Sequence, residues 1–263
     1  MILGWWRRRR RRRLTATPWP EAWEGFVREA VWPFDQLTAD QRAAIRETVR
    51  VLVAEKRWEG CAGFVVTDRV RVAIAAQVGW MMLGRHPFYF DAVRSILVYP
   101  DAFSMPRATP VGWDLHIHER EELHGVAQAR DAVALSWTEV AAAGRSAHDG
   151  HHLVVHEFAH QLDMLGGSDI EGTPPMESAA QREEWDDVID ASFERLRRVC
   201  RRDRHPLLDC YGATERSEFF AVASEVFFQR PTDLAREWPD LHRVLATFYR
   251  LRPTYRAAEP FFG

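Results

Sequence analysis

The chain of 263 residues is 46% hydrophobic and 28% charged, with a formal net charge of −3. This is the make-up of an ordinary globular protein with one large domain or two small ones. No stretch of about 18 apolar residues exists, which excludes a transmembrane helix. Cys61, Cys200 and Cys210 form no C-x-x-C pair and cannot all be bridged to one another, which argues for structural or idle thiols in a reducing compartment and against a disulfide framework.

Arg7 to Arg13 is an unbroken run of seven arginines, so the remainder of the chain is distinctly acidic. The residues before it are too few for the apolar segment of a secretion signal, and Leu14 to Pro18 is not the hydrophobic segment that a twin-arginine signal requires. A cytoplasmic protein is therefore expected. Residues 1–20 read as a basic, disordered, solvated tail. Two other readings are weak contact with anionic lipid, with Trp5 and Trp6 at the headgroups, and non-specific contact with nucleic acid. No base-reading motif accompanies the run, so specific nucleic-acid binding is not expected.

Thr38 offers a cap, and Ile45, Val49, Leu52 and Val53 recur at helical spacing, which predicts a helix over 38–56 broken by Gly60 to Gly63. Val70, Val72, Ala73, Ile74, Val78 and Met82 predict a mostly buried helix between Thr67 and Leu83. Ser95 to Tyr99, ended by Pro100 and Asp101, predicts a strand; Leu115 and Ile117 alternating with histidines predict a second, and Asp131 to Trp137 a third. Helices are expected near 178–200, 215–228 and 238–250. No repeat or composition shift divides residues 21–263, which read as one domain of helices around a small sheet.

The most informative segment runs from Val154 to His160 and contains the pattern H-E-x-x-H at His156, Glu157 and His160. On a helix, residues four apart share a face, so the two imidazoles can aim at one metal ion. Glu157 is turned by about a third of a turn, within reach of a water that such an ion polarises. Two neutral nitrogens and a nearby base are the core of a zinc peptidase site. Asp149 and Gly150 offer a helix start, Leu153 to Leu165 is apolar at helical spacing, and Gly166 and Gly167 offer a stop.

A third protein ligand is needed. His205 and His242 lie downstream, His151 and His152 on the same segment, and Cys200 and Cys210 have no supporting spacing. A carboxylate fits better: Glu218 and Glu225 lie two turns apart among Phe219, Phe220 and Val222, where a buried carboxylate is costly unless it meets a cation or a donor. From the residues alone both qualify. Asp163, seven residues after His156, reads either as an acceptor for a ligand imidazole, a cap for a neighbouring loop or a solvated helix end. His116, His118, His124 and His148 leave room for a second metal site.

His156 to Asp163 (H-E-F-A-H-Q-L-D), Tyr211 to Thr214 and Ser217 to Phe228 together resemble the Mlc titration factor A family of bacterial zinc peptidases. The likeness extends to Lys56–Gly60, Ile74–Gln77, Val98–Phe103 and Leu135–Trp137, and covers roughly residues 18–250. It implies an α+β, mainly helical zincin-like metallopeptidase fold with a small β-sheet beside the H-E-x-x-H helix, similar to the catalytic domain of anthrax lethal factor. It implies one zinc ion per chain held by His156, His160 and Glu218, with Glu157 as general base and Tyr211 stabilising the oxyanion. The implied partners are a peptide or protein substrate, cleaved by aminopeptidase or endopeptidase action, and a transcriptional repressor of the Mlc type. A second class also follows from the resemblance: a non-catalytic protein that sequesters such a repressor around a structural zinc. Two features depart from the family, His152 in place of its usual asparagine and the arginine run.

Overall fold

In the computed structural model, residues 2–102, 131–145, 150–166, 171–202 and 206–254 are described. The expected strand at Leu115 to Ile117 and His116, His118, His124, His148 and His205 lie outside them. Among the described residues ten α-helices and three strands follow in order: α1 (Ile2–Thr15), α2 (Glu21–Ala30), α3 (Ala39–Glu55), β1 (Arg57–Gly60), α4 (Asp68–Met81), β2 (Ser95–Tyr99), β3 (Ala132–Ser136), α5 (Trp137–Ala143), α6 (Leu153–Asp163), α7 (Ala179–Cys200), α8 (Arg216–Gln229), α9 (Pro231–Glu237) and α10 (Pro239–Tyr249). The architecture is mainly helical α+β.

Local chemistry sets the boundaries. Thr38 and Gln41 form a reciprocal capping box at the start of α3, satisfying two backbone N–H groups that the helix itself leaves open. Ser178 accepts from Gln181 N at the start of α7, and α9 and α10 each begin on a proline, whose missing N–H costs nothing there. Strands β1, β2 and β3 form one parallel sheet in that order, with Trp58 opposite Ile96 and Ile96 opposite Val133. Gly60 is required at the end of β1, since a Cβ there would stand 1.8 Å from the Phe64 carbonyl oxygen.

One contiguous core extends from Val27 to Tyr249. Its centre is aromatic: Trp80 meets Phe228 edge-on at 5.3 Å, Phe228 meets Tyr249 at 4.9 Å, and Trp185 and Phe248 close on Phe220 at 5.4 and 5.8 Å. Edge-to-face pairs of this kind add to the free energy of area burial and fix the relative rotation of the helices. Helix α8 is buried along most of its length, from Phe219 to Gln229. Against it pack α6, α7 and α10, and β3 packs against α6.

Two expectations are corrected. Residues 2–15 form helix α1, not a disordered tail. Arginine is a good helix former, and Arg7 and Arg11, one turn apart, find carboxylates: Arg7 meets Asp91 at 2.5 Å, and Arg11 meets both Asp91 and, at 2.6 Å, Glu55. Arg11 also lies over the Tyr89 ring, 4.5 Å from its centroid. The thiol expectation fails as well: Cys200 at the end of α7 is disulfide-bonded to Cys210, leaving Cys61 free. The ten-residue separation carried no signal for this pairing; it is the return of the chain from α7 that brings the two residues together.

Candidate metal centre

Helix α6 begins at His152, whose ring Nδ1 accepts from Val155 N at 3.3 Å, so the histidine occupies the cap that Asp149 and Gly150 were expected to supply. Val154, Val155, Phe158, Ala159 and Leu162 are buried against the core, and the Phe158 ring meets Phe90 at 4.7 Å. With that face fixed, the 3.6-residue repeat places His156 and His160 together on another face, their ring centroids 4.9 Å apart. The third element is α8, which lies against α6 and brings Glu218 to the same point.

The donor atoms form a compact triangle. Glu218 Oε2 lies 3.1 Å from His156 Nε2 and 3.5 Å from His160 Nε2, and the two Nε2 atoms are 3.2 Å apart. Three donors held at about 2.1 Å in a tetrahedral shell stand about 3.4 Å from one another, so the side chains fit one ion of zinc's size without rearrangement. Glu218 Oε2 is buried without a well-formed hydrogen bond, a costly state that a cation removes. Among the described residues this is the one group of histidines, cysteines and carboxylates spaced for a metal.

The charges lead to the same conclusion. Burial opposes ionisation of Glu218, yet the two imidazoles outweigh it and hold the carboxyl at about 2, well below the usual range. Burial likewise opposes a charge on His156, but Glu218 and Glu225 lift its pKa to about 10. Positive charge at this point, whether a proton or a metal ion, is what the surrounding carboxylates favour. Glu157 is raised by burial, against the pull of His156 and His160, in the direction that suits a group taking up a proton near neutral pH.

Glu225, two turns after Glu218, reaches the other side of the same imidazole. Its Oε1 lies 2.8 Å from His156 Nδ1, and its Oε2 accepts from the His152 backbone N–H at 2.5 Å. The two carboxylates that sequence could not separate are thereby assigned different places, one at the donor triangle and one behind it. His152 is buried against Trp80, with its Nδ1 engaged by Val155 N, and does not join the donors. Asp163 turns away from the imidazoles and accepts from Gly172 N and Thr173 N at 2.7 and 2.8 Å, holding the loop that precedes α7. His242 packs on Phe227, away from the triangle.

Tyr211 stands on a short 3-10 turn, Cys210–Ala213, whose first residue is tied to α7 by the disulfide. The residue is 55% exposed and its ring centroid lies 6.2 Å from that of His156. Burial and the carboxylates of Glu218 and Glu157 raise its pKa, so it remains a phenol able to donate a hydrogen bond. Two supports went unnoticed in the sequence. Asp209 accepts from Tyr211 N at 2.7 Å and fixes the turn, a capping signal that was open to reading. His151 bridges Asp209 and Glu225 at 3.4 and 3.9 Å, which no local pattern announces.

A helix bearing H-E-x-x-H, with a glutamate delivered to its two histidines from a second buried helix, has the donor set and the neighbouring base that a centre of the metallopeptidase class would use. The sequence comparisons agree. The chain belongs to the family described as glucose-regulated metallo-peptidase M90, which matches residues 4–250. The matched span takes in the arginine run and α1 from its third residue onward. An uncharacterized protein of Synechocystis sp. is 31% identical, with 94% of this chain and 90% of that protein covered. Mlc titration factor A of Edwardsiella ictaluri is 28% identical over 95% and 94% of the two chains, and that of Salmonella typhimurium 26% identical over 93% and 97%. Among the described residues no helix is long and apolar enough to cross a membrane.

Proposed function

We propose that this protein is a zinc-dependent peptidase, with His156, His160 and Glu218 as ligands, Glu157 as general base and Tyr211 as oxyanion donor. The observation that carries the reading is the donor triangle with Glu157 beside it on α6. Two imidazole nitrogens and one carboxylate oxygen are a donor set typical of catalytic zinc. Zinc bound there would supply Lewis acidity and lower the pKa of water toward neutrality. Glu157 takes the proton of the attacking water and returns it to the leaving amine; its raised proton affinity matches both tasks. The Tyr211 phenol donates to the oxygen on which negative charge develops. Glu225 holds the His156 ring in the tautomer that leaves Nε2 free to bind the ion. Among the described residues β3 is paired on one side only, so an extended peptide can add to it as a further strand, next to α6.

A second reading rests on the relatives' printed name, Mlc titration factor A: a protein that binds a transcriptional repressor of the Mlc type, with a structural metal. Such a partner would place the chain in the cytoplasm. Glu157 favours catalysis, because a structural site has no use for a base next to an open coordination position. The test is hydrolysis of a panel of chromogenic amino-acid and short-peptide substrates by zinc-loaded wild type and Glu157→Gln. Turnover in the wild type that falls at least about 10²-fold in the variant, at equal zinc content, supports the peptidase; the substrates cleaved separate aminopeptidase from endopeptidase action. Equal turnover in the two proteins removes Glu157 from the reaction, and no turnover in either favours the repressor-binding protein.

A further inference from the structure

Helix α1 uses only part of its circumference to attach to the body of the protein. At about 100° per residue, Arg7, Arg11 and Leu14 fall on one side, and this is the attached side: Arg7 and Arg11 pair with Asp91 and Glu55, while Arg11, Leu14 and Thr15 are the residues shielded from solvent. Arg10 flanks that side, donating to the Ala54 carbonyl oxygen at 3.3 Å. The opposite arc carries Trp5, Trp6, Arg9, Arg12 and Arg13, with Arg8 at its edge, all exposed; Arg8 and Arg12 also border the cleft that α1 forms with Glu47, Tyr89 and Asp91. None of those four arginines has a carboxylate partner among the described residues. Trp5 and Trp6 are 55% and 60% exposed, meet edge-on at 5.3 Å, and Arg9 lies over the Trp5 ring.

We propose that the outer face of α1 is a docking surface for anionic phospholipid membranes, its four free arginines meeting the lipid phosphates and Trp5 and Trp6 lying at headgroup level. The argument is charge complementarity joined to amphipathic shape. The chain as a whole carries net charge −3 despite seven arginines here, so α1 concentrates positive charge on a molecule whose remainder is net acidic. Arginines attract any polyanion, but a nucleic-acid duplex gives two adjacent exposed indoles on the same arc no favourable environment. The boundary between headgroups and acyl chains does, because it takes up the apolar ring and leaves the indole N–H hydrated. The ion pairs to Asp91 and Glu55 hold the helix along its side, so the arc is presented as a preformed strip about 12 Å long from residue 5 to residue 13. This inference is independent of the peptidase reading, since neither rests on the other's residues.

The test is co-sedimentation of the full-length protein with phosphatidylcholine vesicles, with and without phosphatidylglycerol. Binding is expected only with phosphatidylglycerol present, and should weaken as salt is raised. Replacing Arg8, Arg9, Arg12 and Arg13 by Gln is expected to abolish it, and Trp5→Ala with Trp6→Ala to weaken it about tenfold or more. In parallel, brominated lipid in the anionic vesicles should quench the part of the wild-type tryptophan emission that the tryptophan double variant lacks. Equal binding to both vesicle types, full binding by the arginine variant, absence of quenching, or displacement from vesicles by duplex DNA at lower phosphate concentration would each overturn the proposal.

Discussion

Replacing Glu225 by Gln preserves the shape of the side chain and removes the charge that stands behind the donor triangle. Two consequences can be worked out. First, the carboxylate that orients His156 through Nδ1 at 2.8 Å becomes an amide, which is neutral and has one acceptor oxygen in place of two. The loss of such a support commonly weakens metal binding 10- to 100-fold, about 1.4–2.7 kcal/mol. Second, the same side chain also accepts from the His152 N–H at 2.5 Å. With a single acceptor oxygen, either this buried donor or the imidazole is left facing an amide N–H, and an unmet buried donor costs about 1–3 kcal/mol. The assay is zinc competition against a chromogenic chelator, paired with denaturant melts of the metal-free proteins. Both quantities should fall in the variant. If stability falls while zinc affinity stays within twofold of wild type, Glu225 anchors the start of α6 and the reasoning about the imidazole is wrong.

Tyr211→Phe keeps the ring and removes the donor, so hydrolysis should slow by about 10²–10³-fold at unchanged zinc content; an unaltered rate would show that the hydroxyl is idle. Lys56 supplies a pH dependence. Its ammonium is buried, donating to the carbonyl oxygens of Phe90 and Val93 at 2.6 and 2.7 Å, and burial lowers its pKa from 10.5 to about 8. The unfolded chain thus binds the proton more tightly than the folded one. The cost of the buried charge is fully present below pH 8 and disappears as pH rises from about 8 to about 10.5, by up to about 3 kcal/mol. Melts of zinc-loaded wild type and Lys56→Met across that range should show the wild type gaining relative to the variant. A flat difference would count against the buried charge.

The elements legible in the sequence are those whose own residues settle them. Helix α3 announces itself through Thr38 and its apolar repeat, and β2 through a run of apolar residues stopped by a proline. Strand β1 escaped reading because of its four residues only Trp58 is even half-buried. Of helix α5 the sequence reading covers only Trp137, as the last residue of a strand, although Ser136 with Glu139 is a start signal; the Ser136 hydroxyl accepts from Glu139 N at 3.5 Å. Helix α1 could not be read at all. A run of like charges is helical here because Glu55 and Asp91, distant in the chain, neutralise two of them. The site divides in the same way. His156, Glu157 and His160 are local to one helix and follow from spacing. Glu218 and Glu225 share a face of α8, and only the packing of α8 on α6 decides which meets Nε2 and which Nδ1.

The aromatic enclosure of α8 also settles how the protein stands toward its metal. Tyr249 donates to Ser224, Ser224 donates to the Phe220 carbonyl oxygen, and phenylalanines seal the flanks, so the helix is held by interior contacts that involve no ion. Small zinc modules are unfolded until the ion arrives, and for them metal binding and folding are a single event. Here the interior contacts of α8 involve no ion, so an ion bound at the donor triangle would be a replaceable part. Withdrawing it would silence the centre without dismantling the protein, and returning it would restore a geometry that was never lost. A cell could therefore set the level of such a centre through its supply of metal while the amount of protein stays constant.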